Sequence, residues 1–195
     1  MAEPCRPQLD IMSLPPFPNH SRSEWRWISL NDCGRWRIIR HIWHRQSRAN
    51  RWIAEGATNA FLALPGPDGL VHNGKELFGN FSPQPSSDHP NGFAALAVYD
   101  DPKNGGNGDG IIDNRDAIFS SLRLWIDENH DGICQPEELH SLPSLGVDSI
   151  SVRYHLSERQ DQYGNWFHYV ANVNGHDSRN TPVGHKAYDV FFVQE

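Results

Sequence analysis

No stretch of eighteen apolar residues occurs in this 195-residue chain, so no membrane-crossing helix can be drawn from it. Cysteine is scarce and odd in number: Cys5, Cys33 and Cys134 give no disulfide framework. Residues 1–19 carry Pro and Asp where a signal peptide needs an apolar core, so no export signal is expected there. Catalytic signatures are missing too. The chain has no His-Glu-x-x-His, no Gly-x-Ser-x-Gly and no Gly-x-x-x-x-Gly-Lys, and hence no recognisable zinc hydrolase, nucleophile elbow or phosphate loop. Hydrophobic content is low at 37%, which still suffices for one core in a domain of ordinary size.

What the chain does have is charge, unevenly divided. Residues 1–54 hold nine Arg against four acids, a balance of +5, while 55–195 hold eight Lys or Arg against twenty acids, a balance of −12. The acidic part argues against nucleic acid as its partner. With no membrane span and no small-molecule site in view, a protein is the partner class left open.

The acids are concentrated in one pattern. Residues 127–138 read Asp-Glu-Asn-His-Asp-Gly-Ile-Cys-Gln-Pro-Glu-Glu, a twelve-residue calcium loop in which every ligand place carries oxygen. Calcium is a hard cation that takes six to eight oxygens. The loop offers Asp127, Asn129, Asp131, the Ile133 carbonyl, Gln135 through water, and both oxygens of Glu138. Gly132, in sixth place, permits the reversal at positive φ without a Cβ clash. Cys134, in eighth place, reads as a buried, inert thiol. Pro136 and the acids Glu137 and Glu138 suit the first turn of an exit helix. A plain acidic turn needs neither the terminal Glu nor an apolar residue after the glycine.

A second, less regular loop lies upstream. Asp116 stands in twelfth place, Asp113 in ninth, the Ile111 carbonyl in seventh, Gly110 in sixth, Asp109 in fifth and Asn107 in third. First place falls to Asp100 or Asp101 if the stretch 101–105 loops out as an insertion. Asp116 is one methylene shorter than Glu, so binding here is expected to be weaker. A third stretch, 64–77, keeps an Asp-Gly turn and a terminal Glu76, but Pro65, Gly66 and Pro67 stand where acidic or amide ligands are needed. It reads as a degenerate loop without metal. Bound calcium would neutralise part of the acidic cluster and stabilise a domain that is looser without it.

From about Asn59 to Glu195 the chain resembles the EF-hand-like calcium-binding domain of bacterial extracellular proteins, alone or within haemolysin-type repeat proteins. The resemblance rests on Ala60-Phe61-Leu62-Ala63-Leu64, Asn73-Gly74-Lys75-Glu76-Leu77-Phe78-Gly79, Asn91-Gly92-Phe93-Ala94-Ala95-Leu96, Asn107-Gly108-Asp109-Gly110, Leu122-Arg123-Leu124-Trp125, the loop at Asp127, and Leu145-Gly146-Val147-Asp148-Ser149-Ile150. It implies Ca2+ as the cofactor, an extracellular or cell-surface setting, and no catalytic reaction. The fold class expected is α+β: EF-hand-like helix-loop-helix calcium loops on a small antiparallel sheet, with an irregular N-terminal segment over 1–54 and the calcium domain over 55–195. Helices are expected over 92–99, 114–121 and 136–142, strands over 149–154, 166–173 and 187–193, and a loop over 81–90. Only ten residues, 117–126, separate the two loops, and the alternation of Leu122, Leu124 and Ile126 with Arg123 and Trp125 favours a strand there. A calmodulin-like pair that opens a groove is therefore not expected.

The N-terminal third follows another rule. Between Glu24 and Ile53 it mixes seven Arg with Trp25, Trp27, Trp36, Trp43 and Trp52. Such a mixture could lie on an anionic membrane, grip nucleic acid, or be a basic segment without a fold. The preferred reading is that part of it is translated out of frame. Shifting the frame by one nucleotide lets 38–47 yield the Ser-Phe-Asp-Ile-Ser-Gly-Thr-Gly-Lys type of segment found in the resembling proteins, with compensating changes near Cys33 and Trp52.

The eleven His residues form no ligand pattern beyond His41 and His44, three apart, and His130 faces outward in fourth place. A dockerin-like, calcium-dependent interaction module is the main alternative, since loops ending in Asp occur there. It requires two similar halves, and the two loops here differ. An enzyme carrying structural calcium is the third class.

Overall fold

The computed structural model describes residues 8–10, 26–28, 30–31, 59–80, 82–129, 132–160 and 165–191. The out-of-frame reading of 38–47, His41 and His44, the residues Trp25, Trp36, Trp43 and Trp52, and the turn residues Tyr163 and Gly164 lie outside them.

The fold is built mainly of β-structure. In chain order the strands are β1 (Gln8–Asp10), β2 (Arg26–Ile28), β3 (Leu30–Asn31), β4 (Asn59–Ala63), β5 (Ile111–Ile112), β6 (Arg123–Trp125), β7 (Leu139–Ser141), β8 (Val147–Ser151), β9 (His155–Gln160), β10 (Trp166–His176) and β11 (Pro182–Phe191). One α-helix, α1 (Gly92–Ala97), and short 3-10 turns complete the described residues. The sheet runs β5-β8-β10-β11-β2-β4-β6-β7, with β9 added on β10 and β1 on β11. Pairing is antiparallel throughout except at β2, which lies parallel to both β11 and β4.

The expected α+β class with helix-loop-helix calcium loops is therefore corrected. No helix-loop-helix occurs among the described residues: the second acidic loop is flanked by β6 and β7, and the first, which comes after α1, contains β5 and runs on into turns rather than a second helix. Residues 136–142 form a 3-10 turn, Pro136–Glu138, and then β7, because Leu139 and His140 pair across to Trp125 and Leu124. Cross-strand pairing outweighs the helix-starting signals of Pro136 and the two Glu. Residues 114–121 make successive turns rather than a helix. The short strand expected within 122–126 is present as β6, and the C-terminal strands are longer than expected, β10 and β11 pairing along ten positions with one bulge near Phe167 and Tyr169.

Alternation along the strands separates two apolar clusters. On β4 and β6, Phe61 and Trp125 face one side while Leu62 and Leu124 face the other, and all four are buried. The larger cluster gathers Phe93 and Leu96 of α1 with Ile112, Phe119, Leu122, Leu142, Ile150 and Val173. The smaller joins Phe61, Val71, Leu77, Trp125, Cys134, Phe167 and Val190. Burying each large side chain contributes about 1.5–3 kcal/mol, so these contacts anchor the loops to the sheet. Helix α1 starts where Asn91 Oδ1 accepts from Ala94 N at 2.9 Å and Asp189 of β11 accepts from Gly92 N at 3.1 Å.

Candidate metal centre

Strand β6 delivers Asp127, and the 3-10 turn before β7 delivers Glu138. Both carboxylates are buried, each residue 3% exposed. The N–H of Gly132 donates to Asp127 Oδ2 at 3.0 Å, drawing the sixth place of the loop onto the first. Glu138 accepts from Glu128 N on Oε1 at 3.1 Å, and from Gln135 N at 3.2 Å and Trp125 Nε1 at 3.1 Å on Oε2. Gly132 has φ +71°, the left-handed conformation that the reversal requires. Asn129 is exposed, as is the Ile133 side chain, and Cys134 is buried. His130 and Asp131 lie outside the described residues.

The first loop repeats this wiring with other residues. Asp100 and Asp116 are buried. Asp100 accepts from Gly110 N on Oδ2 at 2.9 Å and from Gly108 N on Oδ1 at 3.1 Å. Asp116 accepts from Asp113 N at 2.8 Å and from Asn107 N at 3.1 Å. First place thus belongs geometrically to Asp100. Asp101 is exposed and caps the inserted 3-10 turn Pro102–Asn104 by accepting from Lys103 N at 2.8 Å. Asn107 Oδ1 accepts from Asp109 N, and Asp109 Oδ1 accepts from Ile111 N, both at 3.0 Å. Gly110 has φ +85°. The loop is fixed to the sheet by β5 pairing with β8, by Val152 N donating to Gly110 O at 3.1 Å, and by the Arg153 guanidinium donating to Asp109 O at 2.8 Å.

In each loop, then, a first-place carboxylate holds the N–H of the sixth-place glycine, and a last-place carboxylate holds the N–H of the ninth residue. Glu76 in the 64–77 stretch keeps the second half of this scheme, accepting from Asn73 N at 2.9 Å. That stretch packs beside the second loop through Val71 and Cys134, while the first loop stands on another part of the sheet. Burial pushes the Cys134 thiol above its ordinary pKa, aided by Glu138, Glu76 and Asp127 nearby.

Buried carboxylates are costly unless a cation or several donors compensate them. Among the described residues Asp100, Asp116 and Glu138 take part in no ion pair; backbone and indole N–H groups orient them. Among the described residues, too, no three Asp, Glu, His or Cys side chains converge as a ready-made metal cluster. The donors fit calcium by type, since all of them are hard oxygens, and one cation already sits among them. The Arg115 guanidinium contacts Asp109 at 2.5 Å and Asp113 at 2.6 Å. Its hydrogen bonds hold the Asp113 carboxyl below the usual carboxylate range.

Sequence reasoning missed three of these groups: Trp125, Arg115 and Arg153. Trp125 stands two residues before the loop and Arg115 one before the last ligand, so position alone offered a signal for both. Arg153 is distant in sequence and offered none.

A family model described as the SPM domain matches residues 43–193. Over 88 residues the chain is 44% identical to the iron-regulated protein FrpA of Neisseria meningitidis serogroup C, which covers 45% of this chain and 7% of that protein. The chain therefore corresponds to a small part of that bacterial relative. Among the described residues no helix is long and apolar enough to cross a membrane.

Proposed function

The chain belongs to the SPM domain family, and on that footing we propose that it binds Ca2+ through its two acidic loops, as a structural ion. The second loop would hold the ion with Asp127, Asn129, Asp131, the Ile133 carbonyl, Gln135 through water, and Glu138. The first would use Asp100, Asn107, Asp109, the Ile111 carbonyl, Asp113 and Asp116. The ion would supply positive charge to carboxylates that folding has already buried, so metal binding and folding stability are linked.

The observation that carries this reading is the shared wiring. Two loops of different length and sequence each aim a buried first-place and last-place carboxylate by hydrogen bonds from the sixth and ninth residues. Ordinary turns have no need to repeat it. An extracellular setting belongs to the same proposal, supported by the resemblance to domains of bacterial extracellular proteins. Calorimetric calcium titration of the full chain tests the reading: Glu138→Gln is expected to abolish the tighter binding event and Asp109→Asn to weaken the other. Calcium heats undiminished by Glu138→Gln would refute it.

A further inference from the structure

The two loops differ at the residue just before the last ligand. In the second it is Glu137, exposed and acidic; in the first it is Arg115. The Arg115 guanidinium spans two residues assigned to the metal, meeting Asp109 Oδ2 at 2.5 Å and Asp113 Oδ2 at 2.6 Å, with Nε also donating to Asp113 Oδ1 at 3.0 Å. The fork thus engages both oxygens of Asp113, the strongest geometry a guanidinium and a carboxylate adopt. These are the fifth-place and ninth-place side chains of the loop.

Resting on the calcium reading, we propose that Arg115 is a built-in competitor cation: it occupies the fifth-place and ninth-place carboxylates of the first loop, and calcium must displace it to bind there. Two features support this. The Arg115 side chain is 57% exposed, so it can swing into solvent without opening the core. Asp100 and Asp116, at the ends of the loop, are aimed by backbone N–H groups and need no rearrangement of Arg115. The consequence is an order of filling, second loop before first, because a loop whose competent form is only a fraction of the population binds with its affinity reduced by that fraction.

The test uses the full chain carrying Glu138→Gln, so that the first loop is read alone. Calcium titration by calorimetry is compared with and without Arg115→Gln, and with Arg115→Lys, which keeps the charge but loses the fork. Arg115→Gln is expected to tighten calcium binding about two- to fivefold, the range an exposed ion pair supports, with Arg115→Lys between the two. Unchanged or weaker binding in Arg115→Gln would overturn the competitor role while leaving the calcium reading intact. Absence of calcium binding by both the unsubstituted chain and Arg115→Gln would overturn both. Thermal melts in chelator check that each variant is folded.

Discussion

The indole N–H of Trp125 donates to Glu138 Oε2 at 3.1 Å, while the same ring packs on Phe61 with centroids 5.1 Å apart. One residue thereby ties the last carboxylate of the second loop to the smaller apolar cluster. A hydrogen bond to a charged group contributes about 1.5–3 kcal/mol. Trp125→Phe keeps an aromatic ring against Phe61 but removes the donor. Calcium affinity of the second loop is expected to fall about tenfold, measured by calorimetry, with a smaller loss in calcium-free stability.

Gly110 is at φ +85°, and a Cβ placed there would lie 2.4 Å from Nε of Arg153. Gly110→Ala combines the left-handed penalty of about 1–2 kcal/mol with displacement of the guanidinium that holds Asp109 O. Urea denaturation in chelator is expected to show a loss of at least that size. Arg153→Ala, which clears the space, is expected to reduce the additional cost in the double variant.

The Cys134 thiol is buried, and its pKa is raised by that burial and by the carboxylates around it. A protonated thiol is a poor nucleophile. Alkylation at neutral pH is expected to be slow in the folded chain and much faster in the chain unfolded by urea. Mass spectrometry of timed samples measures both rates.

Asp113 has its folded pKa lowered, first by its hydrogen bonds from Arg115. A lowered pKa means the folded state binds fewer protons than the unfolded chain. The stability it contributes is present above the unfolded value of about 3.9 and is lost as pH falls through and below that point. In chelator, Arg115→Gln is expected to cost a small amount of stability at neutral pH, a loss that fades as pH falls below about 4, so that the acid side of the profile is flatter.

The proposed donors are local in sequence, carboxylates and amides at fixed spacing with a glycine in sixth place, and the structure bears out the hydrogen-bonded turn of each loop, with Asp100 and Asp127 holding the N–H of Gly110 and Gly132. β6 was readable for the same reason, by alternation over 122–126. The flanking elements were not. Pro136, Glu137 and Glu138 favour a helix start, yet Leu139 pairs with Trp125, fourteen residues upstream, and no local signal reports that pairing. The packing of the 64–77 stretch beside the second loop likewise depends on Phe61 meeting Trp125 across β4 and β6. The helix-loop-helix expectation failed because the loop pattern constrains the ligands and leaves the flanks free to be strand or helix.

Crystals of the full chain grown in calcium test the central claim most directly, through anomalous density in the second loop. The expected result is a single ion coordinated by Asp127 and by both oxygens of Glu138 at about 2.3–2.6 Å. Density there explained by water alone, with Glu138 still held by Trp125 and the backbone, would contradict the account.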